Sequence, residues 1–598
     1  MDYLPPTRRL RVVNAIIIAL ISVLVLRLWQ IQVLQGRDFL RQSEENRIRD
    51  YTITAPRGII YDRKGRPLVT SRPSFTVAVL PLELTTPGMV LPRLAALLGM
   101  TFQDIKARID ANRSRPFEPV RIKRDLPTHV VARIEENRLD LPGVIILAEP
   151  VRHYLHGQMG AHIFGYVGEV SEAELADRRE RGYKLGDLIG KAGVERTYEE
   201  VLRGVDGHLR MEVDALGRPL RVLQRVPAVS GRSIALTIDL DLQRAAFEGL
   251  RLVLEGEALV TAQSGAVVAM DPRNGEILAM ESVPSYDPNV FAIGISAKQW
   301  EGLTKDRLKP MLNRSIATVF EPGSVFKVVT ATAALEEGIV NRSSTFYAPG
   351  YFRLGRWVFG DLRAWGTVNF IQGIQNSINV VFYTLGHRVG GEALASYARK
   401  MGLGELTGVD LPGEAVGTIP SPSTKQALVG EPWYPGDAVN MSIGQGAVTV
   451  TPIQIARMMA SIANGGTVLQ PRLLLFAYDK DRKPQPAGVP VVQRRDIYSA
   501  KTLAVLHEGL RAAVERGTGR ASNLKQVHVS GKTGSAENPR GKPHAWFAGF
   551  APSEAPRIVV VAFVEHGFRG GLASAPIVRR VLEAAFPARE ASATEVKP

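Results

Sequence analysis

One stretch limits every fold this chain can adopt. From Val12 to Leu26 the polar residues are Asn14 and Ser22 alone, and a weaker apolar run continues through Leu28, Trp29, Ile31, Val33 and Leu34. A helix over Val12–Leu34 rises about 35 Å at ~1.5 Å per residue, enough to cross the hydrocarbon of a bilayer. Arg27 is tolerable near its far end, because a long side chain carries its charge out to the headgroups. Arg8, Arg9 and Arg11 precede the run, so the positive-inside bias places the N-terminus in the cytoplasm. Trp29 suits the far interface, and everything after about residue 35 then lies outside. A cleaved signal peptide would share the basic start and the apolar run. No small-x-small cleavage site follows Leu26, which favours an uncleaved anchor. No second run is long enough to span, and a single-pass protein is expected.

The 598 residues exceed what one hydrophobic core organises, so several folding units follow. Apolar residues make up 45% and charged residues 22%, which excludes wholesale disorder and fibrous structure. The absence of cysteine removes disulfides, thiolate metal sites and cysteine nucleophiles together. The formal charge of +15 fits an anionic membrane surface or cell-wall polymer. Nucleic acid is disfavoured: the basic residues are spread along the chain, with no zinc-finger spacing and no RNP signature. His-Glu-x-x-His, P-loop and Gly-x-Ser-x-Gly patterns are also missing, and neither a metal nor a cofactor is expected.

Four segments are read: 1–34, cytoplasmic tail and anchor; 35–230, a pedestal; 231–586, the segment carrying the chemistry; and 587–598, a loose tail. The pedestal is rich in Arg and mixes strand-like runs (Tyr51–Thr54, Thr76–Leu80) with helical spacing near Val90–Leu98, Asp104–Ala111 and His129–Asn137. After Gly231 the runs Ser233–Ile238, Gly265–Met270 and Glu276–Met280 are apolar strands, the last two joined by a turn at Asn274-Gly275. A helix-rich middle spans about 325–459. Strands over Gln526–Ser530, Ala545–Phe550 and Arg557–Val564 and a helix over Ala575–Ala585 close the segment. The fold class is α/β (α+β): one transmembrane helix, an extended mixed pedestal, then an antiparallel sheet covered by helices.

Three short strings carry chemistry: Ser324-Val-Phe-Lys327, Ser377-Ile-Asn379 and Lys532-Thr-Gly534. Ser-x-x-Lys alone means little, since Ser522-Asn-Leu-Lys525 matches it too. Order and spacing carry the weight, and the Ser522 copy lies after the Ser-x-Asn string. Ser324 follows Glu321-Pro-Gly and precedes a helical run, Val325–Glu337, stopped by Gly338. It therefore sits at a helix N-terminus, where unpaired N–H groups and the dipole favour a developing anion. Lys327 lies on the same helix face, within reach of the serine oxygen. A lysine acts as base if burial and a second cation lower its pKa from roughly 10.4, and Lys532 is the candidate cation. Gly531 and Gly534 clear the strand around Lys532-Thr533, letting an extended peptide pair along it, with Thr533 and Ser535 hydroxyls for a terminal carboxylate. The N–H groups of Ser324 and Ser535 are oxyanion-hole candidates.

In this order the three strings resemble the penicillin-binding, active-site-serine transpeptidase family. The resemblance extends over about residues 50–585. Arg57-Gly-Ile-Ile-Tyr-Asp62-Arg-Lys-Gly65, Arg152-His-Tyr154, Gly165-Tyr-Val-Gly168 and Gly190-Lys-Ala-Gly-Val-Glu195-Arg-Thr-Tyr198 resemble the non-catalytic motifs of its class B branch. Gly190–Tyr198 with Pro284-Ser-Tyr-Asp-Pro-Asn289 is closer to the elongation-type penicillin-binding protein 2 group than to the division type. Many members of that group carry Asp where this chain has Asn379.

The resemblance implies a peptidoglycan D,D-transpeptidase acting through a serine acyl-enzyme and trapped by β-lactams. Its catalytic residues would be Ser324, Lys327, Ser377, Asn379 and Lys532, with Ser377 relaying protons and Asn379 holding the substrate amide. Substrate-binding residues would be Thr533, Gly534 and Ser535. The implied partners are peptidoglycan stem peptides, a RodA-type lipid-II glycosyltransferase met through anchor and pedestal, and an MreC-type scaffold. The implied location is the inner membrane, with the catalytic segment periplasmic. The alternatives are a division-type transpeptidase, a β-lactamase or carboxypeptidase, and a β-lactam sensor without turnover. Against the class A β-lactamases, Glu337–Asn341 matches their Glu-x-x-x-Asn string in the wrong order.

Overall fold

The computed structural model describes residues 6–35, 48–111, 119–213, 219–256, 262–538 and 541–588. Most of the tail expected at 587–598 lies outside these residues. Helix α1 (Pro6–Trp29) continues into a π-helical turn at Gln30–Leu34. The most apolar 18-residue window of Leu10–Leu34 has a mean hydropathy of 2.4, and none of that window is buried by the other described residues. An apolar helix without protein partners is the form a bilayer stabilises.

The chain makes two compact units that do not follow chain order. One comprises Met1–Pro56, Pro73–Pro150 and Gly204–Ser230; the other comprises Arg57–Arg72, Val151–Arg203 and Gly231–Pro598. In the first, strands β1 (Ile48–Ile53), β2 (Gly207–Val213) and β3 (Pro219–Val226) form an antiparallel sheet in the order β1-β2-β3. Helices over Pro87–Leu98, Phe102–Ala111 and Thr128–Glu136 match the apolar spacing within two or three residues. Val90, Leu94 and Leu98 from the first, Ile105 and Ile109 from the second and Ile134 from the third bury against Val77 and Val79. That is what helical periodicity facing an extended strand dictates.

The second unit is built on a five-stranded sheet. Its strands are β4 (Ser264–Met270), β5 (Ile277–Val283), β6 (Ser530–Ala536), β7 (His544–Ala551) and β8 (Ile558–Glu565), in the order β5-β4-β8-β7-β6. Every pairing in it is antiparallel. Both faces are covered, which explains why β4 and β8 read as unbroken apolar runs. Val267, Ala269, Val560 and Ala562 point to helices α2 (Leu240–Glu255) and α3 (Gly570–Ala585). Val268, Met270, Val559, Val561 and Phe563 point the other way, into the cluster that holds Val325, Phe326, Ile455, Met458 and Met459. Alternate strand residues facing opposite layers is the two-residue period of a strand doubly buried. β6 is left at the edge.

Two readings change. Gln526–Val529 is not a strand; β6 begins at Ser530. The antiparallel register pairs Ser530 with Phe550, and the partner strand ends at Ala551, before Pro552. Val529 stands opposite Ala551, the last residue of β7, and residues before it have no ladder to join; the His528 carbonyl accepts from the Ser553 N–H of the turn instead. The helix-rich middle also contains two small hairpins: Thr345–Ala348 pairs with Gly366–Asn369, and Tyr351–Leu354 with Trp357–Gly360.

Charged groups lie deep in the second unit as well. Glu195, fully buried, takes Arg57 Nη2 at 2.7 Å on one oxygen and Arg152 Nε at 2.6 Å on the other. Glu199 accepts from Arg57 Nη2 at 2.8 Å, the Gly190 N–H at 2.8 Å and the Tyr183 hydroxyl at 2.9 Å. Arg152 Nη1 also reaches the Gly58 carbonyl at 2.7 Å. The strings Arg57–Gly65, Arg152–Tyr154 and Gly190–Tyr198 are thus one buried network. Removing its centre leaves the buried Arg152 without its carboxylate and Arg57 with Glu199 alone. Glu195→Ala is expected to cost about 3–5 kcal/mol, read as a lower urea midpoint for the second unit, and Glu195→Gln less.

Candidate active site

Ser324 lies in a short 3₁₀ turn, Gly323–Val325, directly before helix α4 (Lys327–Glu336). The expected continuous helix from Val325 is thus a tight turn and then a helix. Two contacts hold the turn. The Gly323 N–H donates to the Gly444 carbonyl at 3.0 Å, and Val325 and Phe326 are buried in the core below the sheet. Gly323 has φ +53, and a Cβ there would stand 2.7 Å from the Ser535 carbonyl of β6. A Cβ on Gly534 would stand 2.9 Å from the Pro322 carbonyl. Only glycine allows the serine turn and the sheet edge to approach this closely.

Lys327 opens α4 and is buried. Its amine donates to the Ser377 carbonyl at 2.7 Å, to Ser377 Oγ at 3.2 Å and to Asn379 Oδ1 at 2.6 Å, and lies 5.2 Å from the centre of the Phe382 ring. Ser377 caps the C-terminus of helix α5 (Phe370–Asn376) in the left-handed region, at φ 57 and ψ 42. A non-glycine residue there is uncommon and turns the chain sharply, so that Asn379 can start the next helix, α6 (Asn379–Val389). Lys532, on β6 and without solvent exposure, donates to the same Ser377 Oγ at 2.7 Å and to the Thr533 carbonyl at 3.1 Å.

The structure therefore gathers Lys327, Ser377, Asn379 and Lys532 into one hydrogen-bonded cluster beside the Ser324 turn. In this structure the Lys327 amine, expected within reach of the Ser324 oxygen, donates to the Ser377–Asn379 segment. Thr533 is nearly buried, and its hydroxyl is paired with that of Thr518 at 2.6 Å, while Ser535 is exposed at the end of the strand. The other Ser-x-x-Lys copy is elsewhere: Ser522 is buried in a 3₁₀ turn, with its hydroxyl on the Gly519 carbonyl at 2.8 Å.

Burial drives the Lys327 amine down to about 7, against the opposing pull of the Asp361 carboxylate. Burial first, and then the neighbouring Lys327, push Lys532 well below the ordinary lysine range. The first cause is the same for both: an ammonium out of water loses its hydration. A neutral amine with a hydroxyl in contact is a competent general base.

Three functional neighbours were not read from the sequence. Phe382 was invisible because one aromatic at helical spacing is ordinary core. Thr518, between Gly517 and Gly519, has no motif of its own. Asp361 follows a hairpin that was itself missed.

Two family models match this chain: the penicillin binding protein transpeptidase domain over residues 265–583, and the penicillin-binding protein dimerisation domain over residues 52–236. The peptidoglycan D,D-transpeptidase MrdA of Escherichia coli K12 is 32% identical over 95% of this chain and 92% of its own length. The structure of a peptidoglycan synthase complex, on the coordination of polymerization and crosslinking, superimposes with a TM-score of 0.73 at 33% identity, covering 98% of this chain and 99% of the matched one. Penicillin-binding protein 2 of Helicobacter pylori, in complex with MreC, gives a TM-score of 0.74 at 26% identity over 89% of this chain and 98% of its own. Resemblance in both domains and over nearly the whole length joins the convergence of the three strings in space: the chain belongs to the class B penicillin-binding proteins, in the penicillin-binding protein 2 group.

Proposed function

We propose that this chain is a membrane-anchored peptidoglycan D,D-transpeptidase of cell-wall elongation and cell-shape maintenance, and a target of β-lactams. One observation carries the reading. Two buried lysines from distant segments meet on one serine hydroxyl, Ser377 Oγ, beside the glycine-clamped turn that holds Ser324.

In this reading the donor stem peptide lies extended along the β6 edge, its terminal carboxylate held by Lys532 with the Thr533 and Ser535 hydroxyls, and its amide by Asn379. Gly534 keeps the edge clear for that backbone. Ser324 Oγ attacks the carbonyl between the two terminal D-alanines as its proton passes to Lys327. The resident hydrogen bonds of Lys327 do not exclude this step, since catalytic contacts often close only in the complex. The N–H groups of Ser324 and Ser535 take the charge that develops on the carbonyl oxygen. The C–N bond breaks, and the leaving amine of D-alanine receives a proton relayed by Ser377 between the two lysines. An amine of a neighbouring stem then attacks the ester carbonyl, the bond between the acyl carbon and Ser324 Oγ breaks, and the proton lost by that amine returns to the serine oxygen. A β-lactam follows the first half and stops at the ester.

The arginines in the first turns of α1 support a cytoplasmic N-terminus and a periplasmic catalytic segment at the inner membrane. By function, residues 231–586 are the transpeptidase segment and 35–230 the pedestal. The relatives solved with MreC and within a peptidoglycan synthase complex support two partners, an MreC-type scaffold and a RodA-type glycosyltransferase met through anchor and pedestal.

Fluorescent penicillin is expected to label the purified full chain covalently and to leave Ser324→Ala unlabelled; equal labelling of both would remove Ser324 from its role. The acylation rate of the wild type is expected to rise with pH through about 7, because Lys327 takes the serine proton only when neutral. A stopped-flow rate series from pH 5 to 9 is the check. A carboxylate in place of the Asn379 amide favours the ammonium form of Lys327 over its free base. Asn379→Asp is therefore expected to move that limb upward by about one unit or more, measured in the same series.

A further inference from the structure

Helix α6 begins without a cap of its own. Its N-cap residue is Ile378, whose side chain accepts nothing, so the first N–H groups of the helix need a partner from elsewhere. The Val380 N–H finds it in Asp361 Oδ2 at 2.9 Å, from 19 residues back along the chain. The adjacent Gly360 carbonyl accepts from Asn379 Nδ2 at 3.5 Å and from the Tyr383 hydroxyl at 3.3 Å. With its amide nitrogen directed to Gly360, Asn379 presents Oδ1 to Lys327 at 2.6 Å. The Gly360–Asp361 pair thus holds the side chain of Asn379, which contacts the base, and the backbone N–H of the next residue, Val380.

The charge matters as much as the hydrogen bond. Lys327 on α4 and Lys532 on β6 are two amines closed off from water. Tyr383 on α6 lies in the field of Asp361, and Glu537, just past β6, acts on the same tyrosine. Tyr383 is pushed up to about 12, by burial first, then by Asp361 and Glu537. The carboxylate whose field favours the protonated form of Lys327 is that of Asp361.

We infer that Asp361 is a positioning residue of this centre: its carboxylate caps the helix that carries Asn379 and supplies a negative charge set against the buried Lys327. It touches no reacting atom. It acts by fixing where Asn379 stands and how readily Lys327 holds a proton, and the inference rests on the acyl-transfer reading above.

The test separates the two contributions. Asp361→Asn keeps an oxygen for the Val380 N–H but removes the charge. Asp361→Ala removes both. On the full chain in detergent, penicillin acylation rates are measured from pH 5 to 9, with thermal melts to register folding. In Asp361→Asn the acid limb moves down by about one pH unit, because loss of an opposite charge disfavours the ammonium. In Asp361→Ala the limb moves the same way and the high-pH plateau falls roughly ten- to a hundredfold, further than in Asp361→Asn. A limb in Asp361→Asn that stays at the wild-type pH overturns the inference while leaving the acyl reading intact. So does a plateau in Asp361→Ala equal to that of Asp361→Asn. If the wild type itself is not acylated, or Ser324→Ala is acylated as fast, the underlying reading falls and this inference with it.

Discussion

The arrangement turns on the cost of positive charge away from water. Two amines stand within hydrogen-bond distance of one hydroxyl, and both are buried. Each ammonium so placed loses several kcal/mol of hydration, and a second one nearby adds repulsion. The centre lowers that cost by letting protons leave. Ser377 Oγ has two lone pairs and one proton, so it can accept from either lysine or donate to a neutral one. A hydroxyl between two amines of lowered basicity is a proton path as well as a structural contact.

Such a path works only if its members cannot drift apart, and the fold fixes each from a different rigid element. Lys327 opens a helix packed under the sheet, Ser377 sits in a left-handed turn between two helices, and Lys532 stands on an edge strand backed by four others. The glycine contacts between the Ser324 turn and β6 bind turn and strand as one body. Sites carried on helices and strands hold their geometry better than sites on loops. The edge position of β6 has a further consequence. An edge strand offers its backbone to an incoming extended peptide, so in the proposed reading the hazard of an open sheet edge becomes the recognition surface.

Much of this was legible beforehand, and the reasons differ by element. The three strings could be trusted because their order and spacing were tested against the decoy at Ser522, which proves to be an ordinary buried turn. The strands β4 and β8 were legible as long apolar runs, and the helices around Leu94, Ile105 and Ile134 through their period. The false strand over Gln526–Val529 shows the opposite case: alternating Val residues suit a strand, but a strand also needs a partner, and the partner had ended at Ala551. Asp361 could not be read at all. Its importance comes from an N–H whose own helix lacks a cap, and from a lysine distant in sequence; both are facts of tertiary structure.

The non-catalytic strings raise a different point about where the catalytic unit begins. Read along the chain, the segment with chemistry starts after Gly231. Read by core, it does not. Ile60, Leu68 and Val69, with Val151, Tyr154, Ile163, Phe164, Val167, Val194 and Leu202, belong to the same apolar cluster as Val268, Val325, Phe326 and Phe563. The Arg57–Glu195–Arg152 network fixes how those early segments lie against one another. A buried ion network adds little net stability, but a mismatched arrangement would strand its charges, so it selects a single packing. A cut before Gly231 would take that network away and expose one side of the core that carries Val325 and Phe326, the residues directly after the nucleophile. The early segments thus help to hold the serine turn, although they contribute no atom to it.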